Sequence, residues 1–291
     1  MDTSSQNNLL YRSSKYYLLL PSYFWVIVFF ILPLILLFTI SFASKQTYGG
    51  YEINFHLDNY ARAIDPIYLK IAIRTFFYSI TTTIFCFLLG YPIAYYISFT
   101  DGFKKVVLMF LILLPFWTNF LIRVYSWNTI LGSYGLINSS LISLGVIDTP
   151  FDLLNNYISV NIGLLYGELP YMVLPIVASI DRIDRSILEA SSDLGASKYY
   201  TFFNVTLPLS MPGIISGVVF VLIPTLGQFV IPDLLGGNDS FMIGNIITNQ
   251  FIVVRDWPFG STLSVYMMGF VMIPLYLYLR YSKLSLNSVI S

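Results

Sequence analysis

The stretch Glu189-Ala190-Ser191-Ser192-Asp193-Leu194-Gly195-Ala196, followed by Leu207-Pro208, is a polar island between two long apolar segments. Its local signals read as helix, turn, helix. Ser186-Ile187-Leu188-Glu189 fits a capping box, with Ser186 as N-cap and Glu189 reaching back. A short helix runs to about Leu194, and Gly195 supplies the left-handed turn that ends it. A second short helix then places Tyr199, Phe202 and Phe203 on one face, and Leu207-Pro208 is expected to stop it. Ser210 and Pro212 suit the start of the next helix. Joining two helices does not require so ordered a knob. One reading is a surface that inserts into a partner's groove. The other is an interfacial helix pair packed under the chain's own bundle, with Glu189 only a cap.

Working outward, the composition identifies the solvent. Of 291 residues, 56% are hydrophobic and only 10% charged, against about 25% charged in soluble domains. Mean hydropathy is +0.73. Lipid is the expected surrounding. Fifteen basic residues balance fifteen acidic ones, which removes any polyanion-binding signature. The single Cys86 lies in an apolar run and can form no intrachain disulfide, and the single His56 excludes a multi-His metal site. No catalytic, metal-binding or cofactor-binding constellation is expected. The N-terminus is polar through Lys15 and leads into a long apolar run without a small-residue cleavage site. It reads as a first span rather than a cleavable signal.

A helix needs about 20 mostly apolar residues to cross a bilayer. Six segments qualify: about 22–43, 75–99, 106–125, 157–180, 213–235 and 261–281. The whole chain, 1–291, therefore reads as one all-α integral membrane domain with the polar loop 181–212 between its fourth and fifth spans. Residues 131–147 and 241–254 are apolar but short or interrupted by Gly, Ser and Asn, and read as interfacial or re-entrant helices. Prolines at 33, 92, 170, 175, 224 and 274 punctuate the spans; membrane helices tolerate them because neighbours re-satisfy the backbone. With both termini inside, Arg12, Lys15, Lys104, Lys105, Arg182, Arg185, Lys198, Arg280 and Lys283 are cytosolic. Lys45, Arg62, Lys70, Arg74, Arg123 and Arg255 are outside, and residues 126–156 contain no Lys or Arg. The positive-inside rule then puts Glu189 in the cytosol.

Acidic groups within spans mark function by default. Glu168 lies midway along the fourth segment in Gly167-Glu168-Leu169-Pro170, and Asp233 lies near the end of the fifth. A passing polycation would be held by such carboxylates and by aromatic faces, for which Tyr166, Tyr171 and Trp127 are neighbours to consider. Pairing of either carboxylate with Arg123 or Arg255, or hydrogen bonding to a broken helix, is the structural alternative. Asp233 also suits a helix-end cap. Arg123 and Arg74 suit snorkelling to headgroups, and Asp256 suits a receptor-facing contact or a surface ion pair.

The loop resembles the EAA loop of type I ABC importer permeases, the MetI-like fold: Glu189-Ala190-Ser191, Asp193, Gly195 and then Leu207-Pro208. Ser191 stands where a second Ala is usual. The chain further resembles the polyamine (spermidine/putrescine) branch, PotB/PotH-like. The stretches Leu207-Pro208-Leu209-Ser210-Met211-Pro212-Gly213, Asp233-Leu234-Leu235-Gly236-Gly237, Ile243-Gly244-Asn245 and Arg255-Asp256-Trp257-Pro258 carry that likeness. The resemblance implies a multi-pass protein of the bacterial inner membrane whose EAA loop docks an ATPase. It implies a second, PotC/PotI-like permease chain, two copies of a PotA/PotG-like ATP-binding subunit and a PotD/PotF-like polyamine receptor. ATP and Mg would be used by the partner ATPase, since this chain has no phosphate-binding Gly-x-x-x-x-Gly-Lys-Ser/Thr loop. The competing functions are an ion-gradient-driven secondary transporter of a small cationic or amine solute, which would explain Glu168 and the proline-broken helices, and a non-transporting membrane scaffold. Inverted repeats would mark the former, and none is evident. A scaffold would not need a buried carboxylate.

Overall fold

In a computed structural model the chain is described over residues 21–46 and 50–290, without the side chains of 238, 273–275 and 277–290. Arg12 and Lys15, and the side chains of Pro274, Arg280 and Lys283, lie outside that set. The described helices are α1 (Pro21–Ser41), α2 (Asp58–Ala63), α3 (Pro66–Ser98), α4 (Gly102–Leu113), α5 (Phe120–Leu131), α6 (Leu136–Ser143), α7 (Tyr157–Ile180) and α8 (Arg185–Asp193). They continue with α9 (Lys198–Leu209), α10 (Met211–Leu226), α11 (Val230–Leu235), α12 (Ile243–Ile252) and α13 (Trp257–Ile290). Strands β1 (Ser44–Lys45) and β2 (Tyr51–Glu52) form one small antiparallel ribbon. Contacts divide the chain into a unit spanning Pro66–Ile246 and a second built from the segments through Asp65 and from Ile247.

The core of the Pro66–Ile246 unit is the three-helix packing of α3, α7 and α10. Cys86, Tyr91, Ala94, Met172, Val173, Ile176, Val177 and Val221 are buried together there. Glycines set the spacing. A Cβ on Gly213 would stand 2.5 Å from the Pro175 carbonyl oxygen, and one on Gly217 would stand 2.7 Å from Met172 Sδ. Gly213 and Gly217 are four apart, so one small-residue stripe lets α10 lie directly on α7. Prolines 170 and 175 leave α7 continuous, and Asn156 starts it with a capping box closed by Ser159.

Two expected continuous spans are interrupted. Over 106–125, α4 passes into a tight turn at Leu114–Trp117 and the chain restarts as α5, with a bend of 92° between the two halves. The Asn119 side chain accepts from the Leu121 and Ile122 amides at 2.8 and 3.4 Å. It therefore starts a new helix where apolarity alone suggests continuation. Over 213–235, α10 ends at Leu226, Gly227–Phe229 are non-helical, and α11 resumes at Val230. The Phe229 carbonyl starts α11 by accepting from the Asp233 amide at 3.1 Å and also accepts from Asn245 Nδ2 at 2.7 Å, which ties the break to α12. The segments 131–147 and 241–254 contain the short helices α6 and α12.

Two details of the polar loop also differ from expectation. Asp184, not Ser186, caps α8, accepting from the Ser186 amide at 3.0 Å. Glu189 is then too far along α8 for a capping box, and its carboxylate faces outward. Leu207-Pro208 does not stop α9. A π-turn at Phe202–Thr206, in which the Leu207 amide reaches Phe202 O, widens the helix just ahead of the proline ring. The ring fits without a break, and α9 ends at Ser210 instead.

In the other unit, α1 and α2 pack on α13. Ser41 Oγ meets Tyr60 OH at 2.7 Å, and Thr262 Oγ1 donates to Ser41 O at 3.0 Å. Asp256 is buried, pairs with Arg62 at 2.9 Å and caps α13 through the Phe259 amide at 3.2 Å. That rules out both readings offered for it above, a receptor-facing contact and a surface pair. Helix α1 leaves Phe24, Trp25, Phe29, Phe30 and Ile35 more than half exposed, the surface expected of a helix facing lipid or another apolar chain.

Candidate coupling surface and buried carboxylate site

The polar loop is built as a rigid knob. Helix α8 ends in a Schellman arrangement. The Ala196 amide bonds Ser191 O at 3.1 Å and the Gly195 amide bonds Ser192 O at 2.9 Å, with Gly195 at φ +80°. Ser197 then caps α9 through the Tyr200 amide at 3.3 Å. Ser191 Oγ meets Thr201 Oγ1 at 2.9 Å. The residue that departs from the EAA pattern thus ties the two arms of the knob together, a contact alanine could not make. Glu189, Ala190, Asp193, Gly195 and Pro208 are exposed and Leu207 half-buried. Around them Leu194 is 88% and Tyr199 81% exposed. A groove lined by Ser191, Leu194, Gly195 and Tyr200 runs along the knob. Large apolar groups rimmed by polar ones mark a protein-docking surface.

Charge fixes the base of the knob. Arg185 grips Asp101 in the α3–α4 turn through two contacts of 2.8 and 3.4 Å. Lys105 on α4 holds both oxygens of Asp181, at the end of α7, at 2.8 Å. The Arg185 guanidinium holds the Asp101 carboxyl below the usual carboxylate range, and the Ser186 amide does the same for Asp184. Phe202 anchors α9 to the core, edge-on to Tyr91 and Tyr95 at 5.6 Å each.

The second site surrounds Glu168. Its side chain is buried, with the residue 4% exposed and Oε2 lacking any hydrogen-bond partner. Gln228, from the break between α10 and α11, and Arg123 both lie within electrostatic reach of the carboxylate. Tyr166 and Trp127 meet edge-to-face at 5.6 Å, and Tyr171 meets Phe116 at 5.0 Å. Trp127 and Tyr166 therefore meet where α5 lies on α7, whereas Tyr171 packs on the turn ahead of α5. Asp233 does not join them. It is exposed in the first turn of α11 and enters no ion pair among the described residues. Gly163 receives Leu235 and Ile231, whose atoms would lie 2.6 and 2.9 Å from an added Cβ. This brings the broken fifth segment against α7. Gln228 and Phe116 are members of the site that sequence reasoning missed. The Gly227-Gln228 pair, a helix-breaking residue next to a polar one inside an apolar run, was the available signal.

For a helical fold with an ordered polar knob and a buried carboxylate, the relatives specify the class, that of a transport-system membrane component. Residues 68–284 match the family described as "Binding-protein-dependent transport system inner membrane component", and the chain belongs to that family. The spermidine/putrescine transport system permease protein PotB of Haemophilus influenzae is 39% identical over 260 residues, covering 89% of this chain and 91% of the relative. PotB of Escherichia coli K12 is 40% identical over 260 residues, covering 89% and 94%. The inner membrane ABC transporter permease protein YdcU of the same strain is 32% identical over 233 residues, covering 76% and 74%. Among solved structures, a chain of a bacterial ABC transporter that imports the acidic polysaccharide alginate superposes with TM-score 0.74 at 17% identity, covering 96% of this chain and 98% of that one. That likeness bears on the fold alone.

Proposed function

We propose that this chain is the membrane-crossing permease subunit of an ABC importer that carries spermidine and putrescine inward. The observation that carries the reading is the near full-length similarity, about 40% identical, to permeases of spermidine/putrescine systems. The local chemistry agrees. A polyamine is a flexible chain of ammonium groups, and the Glu168 region offers a carboxylate with an unfilled oxygen beside aromatic faces. Such contacts bind cations with modest strength, which suits passage more than storage.

In this reading the chain crosses the inner membrane six times with both termini in the cytosol. The broken third and fifth segments each count as part of one crossing, and α13 supplies the sixth. The knob of α8 and α9 presents Glu189, Ala190, Asp193 and Gly195 to an ATP-binding subunit, one of a pair that binds ATP and Mg. A second permease chain completes the pathway, and an external receptor delivers the polyamine. The chain itself catalyses no reaction.

Proteoliposomes containing this chain with its partner subunits test the proposal. Uptake of labelled spermidine or putrescine should require enclosed ATP and added receptor. Uptake that ignores ATP and follows a proton or sodium gradient would overturn it in favour of a secondary transporter.

A further inference from the structure

Arg123 and Glu168 are opposite charges on facing helices, α5 and α7, and each keeps one buried polar atom unpaired. Oε2 of Glu168 and Nε of Arg123 are both buried without a hydrogen-bond partner. The two lie within Coulomb range, yet no ion pair holds Arg123 among the described residues. The guanidinium instead neighbours two aromatic rings, with its carbon 5.8 Å from the centre of Phe116 and 5.7 Å from that of Phe120. Arg123 also lines the small crevice between α5 and α7, with Trp127, Tyr166 and Gly167. Gly167 adjoins Glu168, so the arginine opens onto the turn of α7 that carries the carboxylate.

A buried carboxylate and a half-buried guanidinium, each incompletely bonded, are costly to hold apart, because each loses hydration. Separation persists only where the cation has an alternative seat, and the Phe116–Phe120 pair is that seat. Asn119, between these two aromatics, caps α5 at the 92° break. One turn of chain therefore carries both the seat and the bend.

We propose that Arg123 is a tethered competitor for the substrate's ammonium group at Glu168. With the site empty, the guanidinium moves between its aromatic seat, where the structure places it, and the carboxylate. When an ammonium arrives, it takes Glu168, and Arg123 returns to its aromatic seat. The exchange gives Glu168 a second cation to turn to and keeps the site weak enough to release the first. Arg123 is thus a specificity-determining and positioning residue. This inference rests on the polyamine reading above.

The test uses the assembled complex in proteoliposomes, measuring the KM and maximal rate of receptor-dependent spermidine uptake. Arg123→Gln removes the competitor and should lower both the KM and the maximal rate about fivefold, the scale of one partly solvated cation–π contact. Removing the seat with Phe116→Leu and Phe120→Leu should leave Arg123 on Glu168 and raise the KM by a similar factor. In a Glu168→Gln background, Arg123→Gln should add no further effect. Opposite movements of KM are the signature, since a merely structural role would lower the rate in both variants without them. Should Arg123→Gln fail to assemble, the seat variants and Arg123→Lys decide the matter. The lysine keeps the competing charge, and its KM should stay near wild type. KM unchanged in the seat variants, or an Arg123→Gln effect undiminished without Glu168, overturns the exchange. Wild-type complex that imports no polyamine overturns the substrate reading itself, and the exchange with it.

Discussion

Gly195 shows how a single loop residue can matter without touching anything. A Cβ there would meet nothing within 4 Å, so space is not the constraint. Its φ of +80° is. An alanine at this position costs roughly 1 kcal/mol in the left-handed region, and asparagine costs less. Gly195→Ala should loosen the turn between α8 and α9 and lower recovery of the ATPase subunit in a pull-down, with Gly195→Asn intermediate. A bulky basic residue at Gly195 or Glu189 should detach the ATPase while the chain still inserts. Equal recovery from wild type and all three Gly195 variants would remove the knob from docking. Ser191 belongs to the same argument, because its hydroxyl bridges to Thr201.

At the scale of elements, the knob transmits force only if its base is fixed, and two ion pairs fix it to α3, α4 and α7. Both are partly or fully exposed, so their worth lies in geometry more than in stability. The sign with pH follows from Asp101, whose carboxyl Arg185 holds below its usual range. The folded value lies under the unfolded one, so the contribution is present above the unfolded carboxylate value and is lost as pH falls through the folded one. Acidification should lower transport coupling, and Asp101→Asn should reproduce that loss at neutral pH. The swap Asp101→Arg with Arg185→Asp should restore coupling that either single change lowers; failure of the swap to rescue would show that the pair does not act as a latch. The α7–α10 seam makes a different demand. Gly213 faces backbone atoms that cannot yield, so Gly213→Ala should cost about 1–3 kcal/mol in overpacking, read as a lower melting temperature of the purified complex. These elements were unequally legible. The apolar run 157–180, with Asn156 ahead of it, reads directly as helix. The breaks at Asn119 and Gly227–Phe229 do not, because hydropathy averages over one polar residue and tertiary partners such as Asn245 make the breaks tolerable.

For the whole molecule, the helix–turn–helix outline of the knob was readable because the Gly195 turn is a local signal, whereas its cap, Asp184 in place of Ser186, and the passage of Pro208 through α9 were not. The carboxylate site was readable only in part. Glu168, Tyr166, Tyr171 and Trp127 stand out as polar or aromatic groups in apolar runs, whereas Gln228, Phe116 and the isolation of Asp233 depend on how broken segments fold back. The sidedness of the chain rests on charge counts, and it can be measured directly. Cys86 is the only cysteine and is buried, so Cys86→Ala gives a quiet background for single-cysteine reporters. Ser133 and Ser192 are both exposed, and α7 lies between them. Its 24 residues make about 36 Å of helix, enough for a hydrocarbon core of about 30 Å. A membrane-impermeant maleimide should therefore label Ser133→Cys in intact cells, and Ser192→Cys only once the inner membrane is opened. The reverse pattern would invert the molecule and place the knob away from ATP, which would end the coupling proposal. Labelling of both from the same side would mean that α7 does not cross, and the six-span arrangement would fall with it.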